Sequence, residues 1–273
     1  MPVAPCARRR LPCARMETIE SSLRMSALRE AHVARTADML AAAFSVDAAW
    51  CYLFPDAATR RAGLCDFFAR NLRTHLPYAC TYVALDADER PLATVTLRPP
   101  RGIHISLLTM LRRGLLPFAI AHGRAAVQRL LWLKKTYDAL EAEAAAGDAH
   151  AYVHMMAVAP EYQGRGIGSR LLAEVLSAHA SPSVVAQTVL TTHLERNVVF
   201  YRRHGFELSW QRTLEPPAGV PYTVWAMRRC GTVTVASAGP SLAAPAFAPA
   251  PERSVRSALA PWRTRRSSPC CCR

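Results

Sequence analysis

Long apolar runs are missing from this chain of 273 residues. A membrane-spanning helix needs roughly 18 uninterrupted apolar residues. Residues 105–121 come nearest, but Arg112 and Arg113 interrupt them. No membrane partner is therefore expected. Arg8, Arg9 and Arg10 are followed by no apolar stretch, so they do not read as a secretory leader. Leu11-Pro12-Cys13 lacks the apolar segment that a lipoprotein signal requires. Patterned cysteines are missing as well. Cys6, Cys13, Cys51, Cys65, Cys80 and Cys230 are scattered, and Cys270, Cys271 and Cys272 adjoin one another. None has zinc-finger spacing, and an odd total of nine argues against a disulfide framework. Reduced thiols in a cytoplasmic protein, with no metal, are the expectation.

Acidic residues are few: 20 Asp and Glu stand against 34 Lys and Arg, a formal net charge of +14. Residues 1–24 carry five Arg and two Glu, and residues 231–273 carry six Arg and one Glu. The segment between them keeps a modest positive excess, which suits an anionic ligand. It has no interleaved aromatic and basic clusters, so nucleic acid is not favoured. The remaining composition, 51% hydrophobic and 20% charged, is that of an ordinary globular chain.

Three regions are expected. Residues 1–24 read as a disordered basic arm, and residues 231–273 as a disordered tail rich in Ala, Pro, Ser and Arg. A folded domain spans 25–230. It opens with a short strand near 26–30, then a helix over 31–44. Residues 46–56 read as a loop. A second helix covers 59–75, where Leu64, Phe67, Phe68 and Leu72 recur at helical spacing. Strands over 80–86 and 91–98 form a hairpin. Residues 99–147 are longer than a minimal domain needs. They are broken by Gly114 and Pro117, end in a helix over 122–145, and read as a lid or extra pocket wall. A strand over 150–158, a helix over 167–179, a strand over 184–192, a helix over 195–204 and strands over 206–213 and 221–229 complete the domain. This order predicts a mixed α/β sheet, largely antiparallel before residue 158.

The densest signal lies between the strand at 150–158 and the helix from Ile167. Gln163-Gly164-Arg165-Gly166-Ile167-Gly168 is a glycine-rich turn that opens a helix. Such a turn aims several backbone N–H groups, and the positive end of a helix dipole, at one point. That is a seat for phosphate. Glycine allows a ligand to approach bare backbone. A dinucleotide fingerprint would need Gly where Ser169 stands, and an acid about 20 positions on. Residues 184–192 contain no Asp or Glu, and no Gly-Lys-Ser/Thr ending marks an ATP-type loop. A purely structural glycine turn stays open.

The same turn resembles the cofactor signature of the GNAT superfamily of acetyl-CoA-dependent N-acetyltransferases. Met156-Ala157-Val158-Ala159-Pro160-Glu161-Tyr162 resembles the family's fourth strand and its exit. Glu195 to Phe206, with Asn197, Tyr201 and Gly205, resembles its second cofactor segment. The resemblance covers about residues 26–229. It implies the acyl-CoA N-acyltransferase fold: a mixed, mostly antiparallel sheet with a splayed central strand pair and helices on both faces. It implies acetyl-CoA as cosubstrate, held by Met156, Ala157, Val158, Gln163, Gly164, Arg165, Gly166, Ile167, Gly168, Ser169, Asn197 and Tyr201. Arg165 and Arg170 would add positive charge.

Direct attack by an amine on the thioester requires a base and an acid. Tyr201 matches the family's acid position. His154 is the candidate base, because an unperturbed imidazole titrates near neutrality. Strand alternation would put it on one face with Tyr152 and Met156. Glu161 is a second candidate base. Thr191 and Thr192, followed by His193, stand where relatives often have an acid. On the acceptor side, Trp50, Tyr52 and Phe54 form either an apolar wall or core, and Asp47 or Asp56 could attract a cationic amine. The implied activity is acetyl transfer to a primary amine, on a small molecule rather than a protein or peptide. A non-catalytic acyl-CoA sensor is the alternative, and a homodimer stays open.

Overall fold

A computed structural model describes residues 23–100, 110–179 and 187–230. The expected arm and tail fall almost wholly outside these residues. Seven strands form one sheet in the order β1-β2-β3-β4-β5-β7-β6. They are β1 (Arg24–Ala27), β2 (Thr81–Leu85), β3 (Pro91–Arg98), β4 (His150–Val158), β5 (Gln187–Thr192), β6 (Glu207–Leu214) and β7 (Tyr222–Cys230). Every neighbouring pair is antiparallel except β4 and β5, which run parallel. The helices are α1 (Glu30–Phe44), α2 (Ala48–Leu53), α3 (Ala57–His75), α4 (Leu116–Ala144), α5 (Ile167–His179) and α6 (Glu195–Arg202).

Periodicity decides which face each helix covers. Val33, Ala37, Leu40 and Ala41 make one buried stripe of α1, and Leu64, Phe68 and Leu72 one of α3. Together with Leu53, Val83, Leu85, Met155, Ala157 and Val224 they fill the core on one side of the sheet. On the other side Leu171, Leu172, Val175 and Leu176 of α5 pack against Leu92, Val95, Leu97, Val153 and Leu190. Helices thus lie on both faces, as expected.

Two departures have local causes. Residues 46–56 are not a loop, because Ala48–Leu53 is helical. Asp47 Oδ1 accepts the Ala49 N–H at 3.1 Å and caps the helix. Trp50 packs among Phe44, Phe67 and Phe68, so its role in the structure is core. The helix expected over 122–145 is present, but a further helical segment precedes it from Leu116, and the two meet at a kink. Pro117 sits in the first turn of that segment, where a missing N–H costs nothing, and Gly123, at φ +75°, absorbs the kink. The described part of this insertion is pinned down. Phe118 is buried beside Phe54 and Phe67, Trp132 meets the Tyr52 ring edge-on, and Arg129 donates to the Leu53 carbonyl. Residues 101–109 lie outside the described residues.

The centre of the sheet opens. β4 pairs with β5 only from His150 to Val153, opposite Gln187 to Leu190. Beyond that, β5 follows β7 through Thr191 and Thr192, while β4 follows β3 through Val158. Pairing with β3 passes from Thr96–Met155 to Leu97–Val153, so His154 is one residue extra, a β-bulge.

Helix α3 approaches the Phe54 ring closely through Gly63, where an added Cβ would lie 2.8 Å from ring carbons. Gly63→Ala is expected to destabilise the domain by about 1–3 kcal/mol through overpacking, measured as a lowered denaturant midpoint.

Candidate active site

The divergence of β4 from β5 leaves a cavity of about 500 Å³, within the usual range for small-molecule sites. Its walls are the end of β4, the glycine turn, the start of α5, one face of α6 and residues 43–47. The Ala159 N–H bonds the Leu92 carbonyl of β3. By strand alternation the N–H groups of Met156 and Val158 therefore point away from β3, toward the gap. The side chain of Gln163 donates to the Val158 carbonyl at 3.1 Å, which holds the turn against this edge.

Gly164 and Gly166 adopt φ of +79° and +78°, a region that L side chains rarely visit. No atom lies within 4 Å of where their Cβ atoms would be, so the backbone is bare toward the cavity. Gly168 has a different task. Its missing Cβ would lie 2.8 Å from Val158 Cγ2, so it lets α5 pack on β4. The first intrahelical bond of α5 is Arg170 N–H to Gly166 O, which leaves the preceding amides without a helical acceptor. Arg196 and Arg203 line the same cavity. Of the two arginines expected to add this charge, Arg165 lines the cavity and donates to the Glu161 carbonyl, whereas Arg170 lies outside the lining and pairs with Glu174 at 3.0 Å.

All twelve residues expected to hold acetyl-CoA line this one cavity: Met156, Ala157, Val158, the run Gln163 to Ser169, Asn197 and Tyr201. Asn197 is anchored by a 2.9 Å bond from Nδ2 to Thr192 Oγ1 at the end of β5. Ser169 Oγ meets His204 Nε2 at 3.1 Å. Tyr201 is buried between Phe200 and Phe206. Burial, reinforced by nearby Tyr152, raises its pKa far above the ordinary phenol value, so it stays protonated and can donate.

His154 keeps Tyr152 beside it, with ring centroids 6.2 Å apart, but does not share a face with Met156 as alternation would have it. The bulge breaks the period of two, so Tyr152 and Met156 belong to opposite faces. Tyr152 packs with Val189 and Ala226, and Met156 packs against the α5 side. His154 sits outside the cavity lining and stacks on His75, with ring centroids 5.6 Å apart. Burial first, then Arg98, His75 and Lys134, pushes its pKa well down. Asp56 also lies elsewhere. It caps α3, accepting from Ala58 N–H and Thr59 Oγ1.

A second polar group gathers around Asp47, which the sequence marks as one of two acids able to attract a cationic amine. His193 Nδ1 lies 2.9 and 2.8 Å from the two carboxylate oxygens of Asp47. Its Nε2 lies 2.6 Å from the Tyr137 hydroxyl, which lies 3.1 Å from that of Tyr222. Asp47 lines the cavity. Besides Asp47, the sequence signal is His193, directly after the Thr191–Thr192 pair that stands where relatives often have an acid. Tyr137 and Tyr222 carried none. Among the described residues no group of three or more His, Cys, Asp or Glu is arranged to hold a metal ion. No helix there is long and apolar enough to cross a membrane.

Residues 130–208 match the family model described as an acetyltransferase (GNAT) domain. A search of curated proteins finds no significant match. Solved structures share the fold. An apo-form mutant of agmatine N-acetyltransferase is 15% identical with a TM-score of 0.50, covering 77% of this chain and 99% of its own. The C-terminal condensation domain of Ebony, in complex with beta-alanyl-dopamine, is 13% identical with a TM-score of 0.53, covering 75% and 97%. SsHAT is 17% identical with a TM-score of 0.50, covering 77% and 99%. Over residues 130–208 the chain is thus similar in sequence to GNAT acetyltransferase domains, and it shares its fold with these solved structures.

Proposed function

We propose that this domain transfers the acetyl group of acetyl-CoA to a primary amine of a small molecule, by direct attack in a ternary complex. One observation carries the reading: an open strand edge and a bare glycine turn face the same cavity. The edge from Met156 to Val158 offers the pantetheine amides the bonds of a neighbouring strand. The turn and the start of α5 offer N–H groups to a diphosphate, with Arg165, Arg196 and Arg203 on the same cavity lining. When bound, acetyl-CoA supplies an activated thioester. An N–H near Met156 polarises its carbonyl, and Tyr201 gives a proton to the departing sulfur. The Ebony domain was solved with beta-alanyl-dopamine, and agmatine is itself a small amine, which is in keeping with a small acceptor.

Tyr201 separates this enzyme from an acyl-CoA sensor. Tyr201→Phe is expected to lower kcat by about 100-fold or more, with CoA affinity, read by calorimetry, held within about threefold. Absence of CoA binding by the unchanged chain sinks the proposal. Binding without thiol release for any amine favours the sensor.

His154 is the weaker choice of base, since its buried ring disfavours protonation. That ring makes a separate prediction. The unfolded chain protonates it near 6.5, whereas the folded chain does so only at lower pH. Stability is therefore full above about pH 6.5 and falls as pH drops below it. His154→Asn should flatten that fall in urea unfolding curves measured between pH 7.5 and 5. An unchanged slope would count against a neutral buried ring.

A further inference from the structure

Asp47 is a buried carboxylate, 7% exposed, at the wall of the cavity that also holds Ala157 and Tyr201. A buried carboxylate is costly unless it is hydrogen-bonded or paired. This one receives the Ala49 N–H and the His193 ring at Nδ1. Among the described residues no Lys or Arg forms an ion pair with it. A carboxylate accepts only, so the Nδ1 of His193 carries its proton toward Asp47. In the neutral ring Nε2 then accepts from Tyr137 O–H at 2.6 Å, and Tyr137 accepts from Tyr222 O–H at 3.1 Å. Every donor in this series points toward Asp47, and each bond polarises the next. Burial holds both phenols protonated, with Tyr137 raised well above the usual value and Tyr222 to about 12. The protein thus sets a carboxylate at the cavity wall with its donors aligned on it and, among the described residues, no Lys or Arg paired to it. Phe44 and Val46 line the cavity beside it and are apolar.

We infer that Asp47 is the base that takes the proton from the acceptor amine, and that His193, backed by Tyr137, positions its carboxylate for this. The inference rests on the acetyltransferase reading above. The acceptor class it implies is a primary amine that is protonated at neutral pH and carries an apolar body. The ammonium docks on Asp47 and passes it one proton, which frees the nitrogen lone pair. The nitrogen attacks the acetyl carbon, the C–N bond forms and the C–S bond breaks. Sulfur leaves with the proton of Tyr201, and the second proton lost by nitrogen restores Tyr201. Asp47 returns its proton to solvent past Val46, which is 78% exposed. The sum is amide, free thiol and one released proton.

The test uses the full chain, acetyl-CoA and two probes of similar shape: phenethylamine, which is protonated at pH 7, and O-benzylhydroxylamine, which is neutral there. The unchanged protein acetylates both. Asp47→Asn keeps a good capping residue, so α2 survives. It is expected to lower kcat for phenethylamine by about 100-fold or more, and for O-benzylhydroxylamine by less than about tenfold, with CoA affinity within about threefold. His193→Ala lowers kcat for phenethylamine by about tenfold or more, with KM for acetyl-CoA little changed. His193→Asn, whose Nδ2–H replaces the ring donor, recovers most of that loss. Equal losses for both probes in Asp47→Asn, or an unaffected rate, overturn the assignment. So does a His193→Asn variant no better than His193→Ala, because the imidazole itself would then be the base. CoA bound by the unchanged protein with no transfer to either probe removes the ammonium site and leaves the CoA site standing. Loss of CoA binding removes the acetyltransferase reading instead.

Discussion

The rest of the site depends on the parting of β4 from β5. Two parallel strands at the centre of a sheet normally satisfy each other's backbone along their whole length. Here the pairing stops at Val153 and Leu190, and each strand continues with its other neighbour. The freed edge of β4 therefore keeps unpaired N–H and C=O groups beside a void. Such an edge in the middle of a domain is costly unless something fills it. The structure fills part of it itself, with the side chain of Gln163 donating to the Val158 carbonyl. What remains open is the shape of an extended, amide-bearing chain. The bulge at His154 lies just past the last paired residue, and bulges bend the strand that carries them. The extra residue thus sits where β4 must turn away.

Once the strands part, one cavity gathers charge of both signs. The glycine turn, the amide end of α5, Arg165, Arg196 and Arg203 bring positive charge to its lining. Asp47 brings the negative charge, with no Lys or Arg among the described residues in an ion pair with it. The two call for opposite ligands, an anion held mainly by backbone and a cation held by a carboxylate. Tyr201 and the edge of β4 line the same cavity. Burial of the phenol matters at this point. A group whose charged form is disfavoured is a poor base but a secure donor, which fits a role at a departing thiolate.

Much of this was legible in the sequence because it is local. Glycines at fixed spacing, a helix opening at Ile167 and an Asn–Tyr pair four apart on α6 are properties of short segments, and the fold brings them to one cavity. The strand and helix order was legible for the same reason. Three things were not. The bulge at His154 leaves no mark in a run of residues that reads as an ordinary strand, so alternation gave the wrong face for Met156 relative to Tyr152. The short helix α2 has too few apolar repeats to show a period, and its only signature is the cap at Asp47. The network of Asp47, His193, Tyr137 and Tyr222 joins the start of α2 to the residue after β5 and to two tyrosines on α4 and β7. No local pattern encodes a contact across 146 positions.

The insertion between β3 and β4 gives that network its depth. Without α4 the face of β5 and β7 beyond Asp47 would be open to water, and the carboxylate would be screened. Helix α4 brings Tyr137 over His193, while Trp132 closes on Tyr52 and Leu133 and Leu140 are buried in the core. The same helix is tied at its far end by Arg98 and His150, which both engage Glu141. The residues that read as a lid or extra pocket wall act, where described, as a fixed backing to this network, and none of them lines the cavity. Their effect is to lower the local dielectric around a single negative charge, which strengthens its attraction for a cation within reach. A minimal domain lacking this helix could still hold a diphosphate on its glycine turn. It could not hold Asp47 and His193 in this buried pair, so the insertion acts on the cavity through the residues that it backs, and not by lining it.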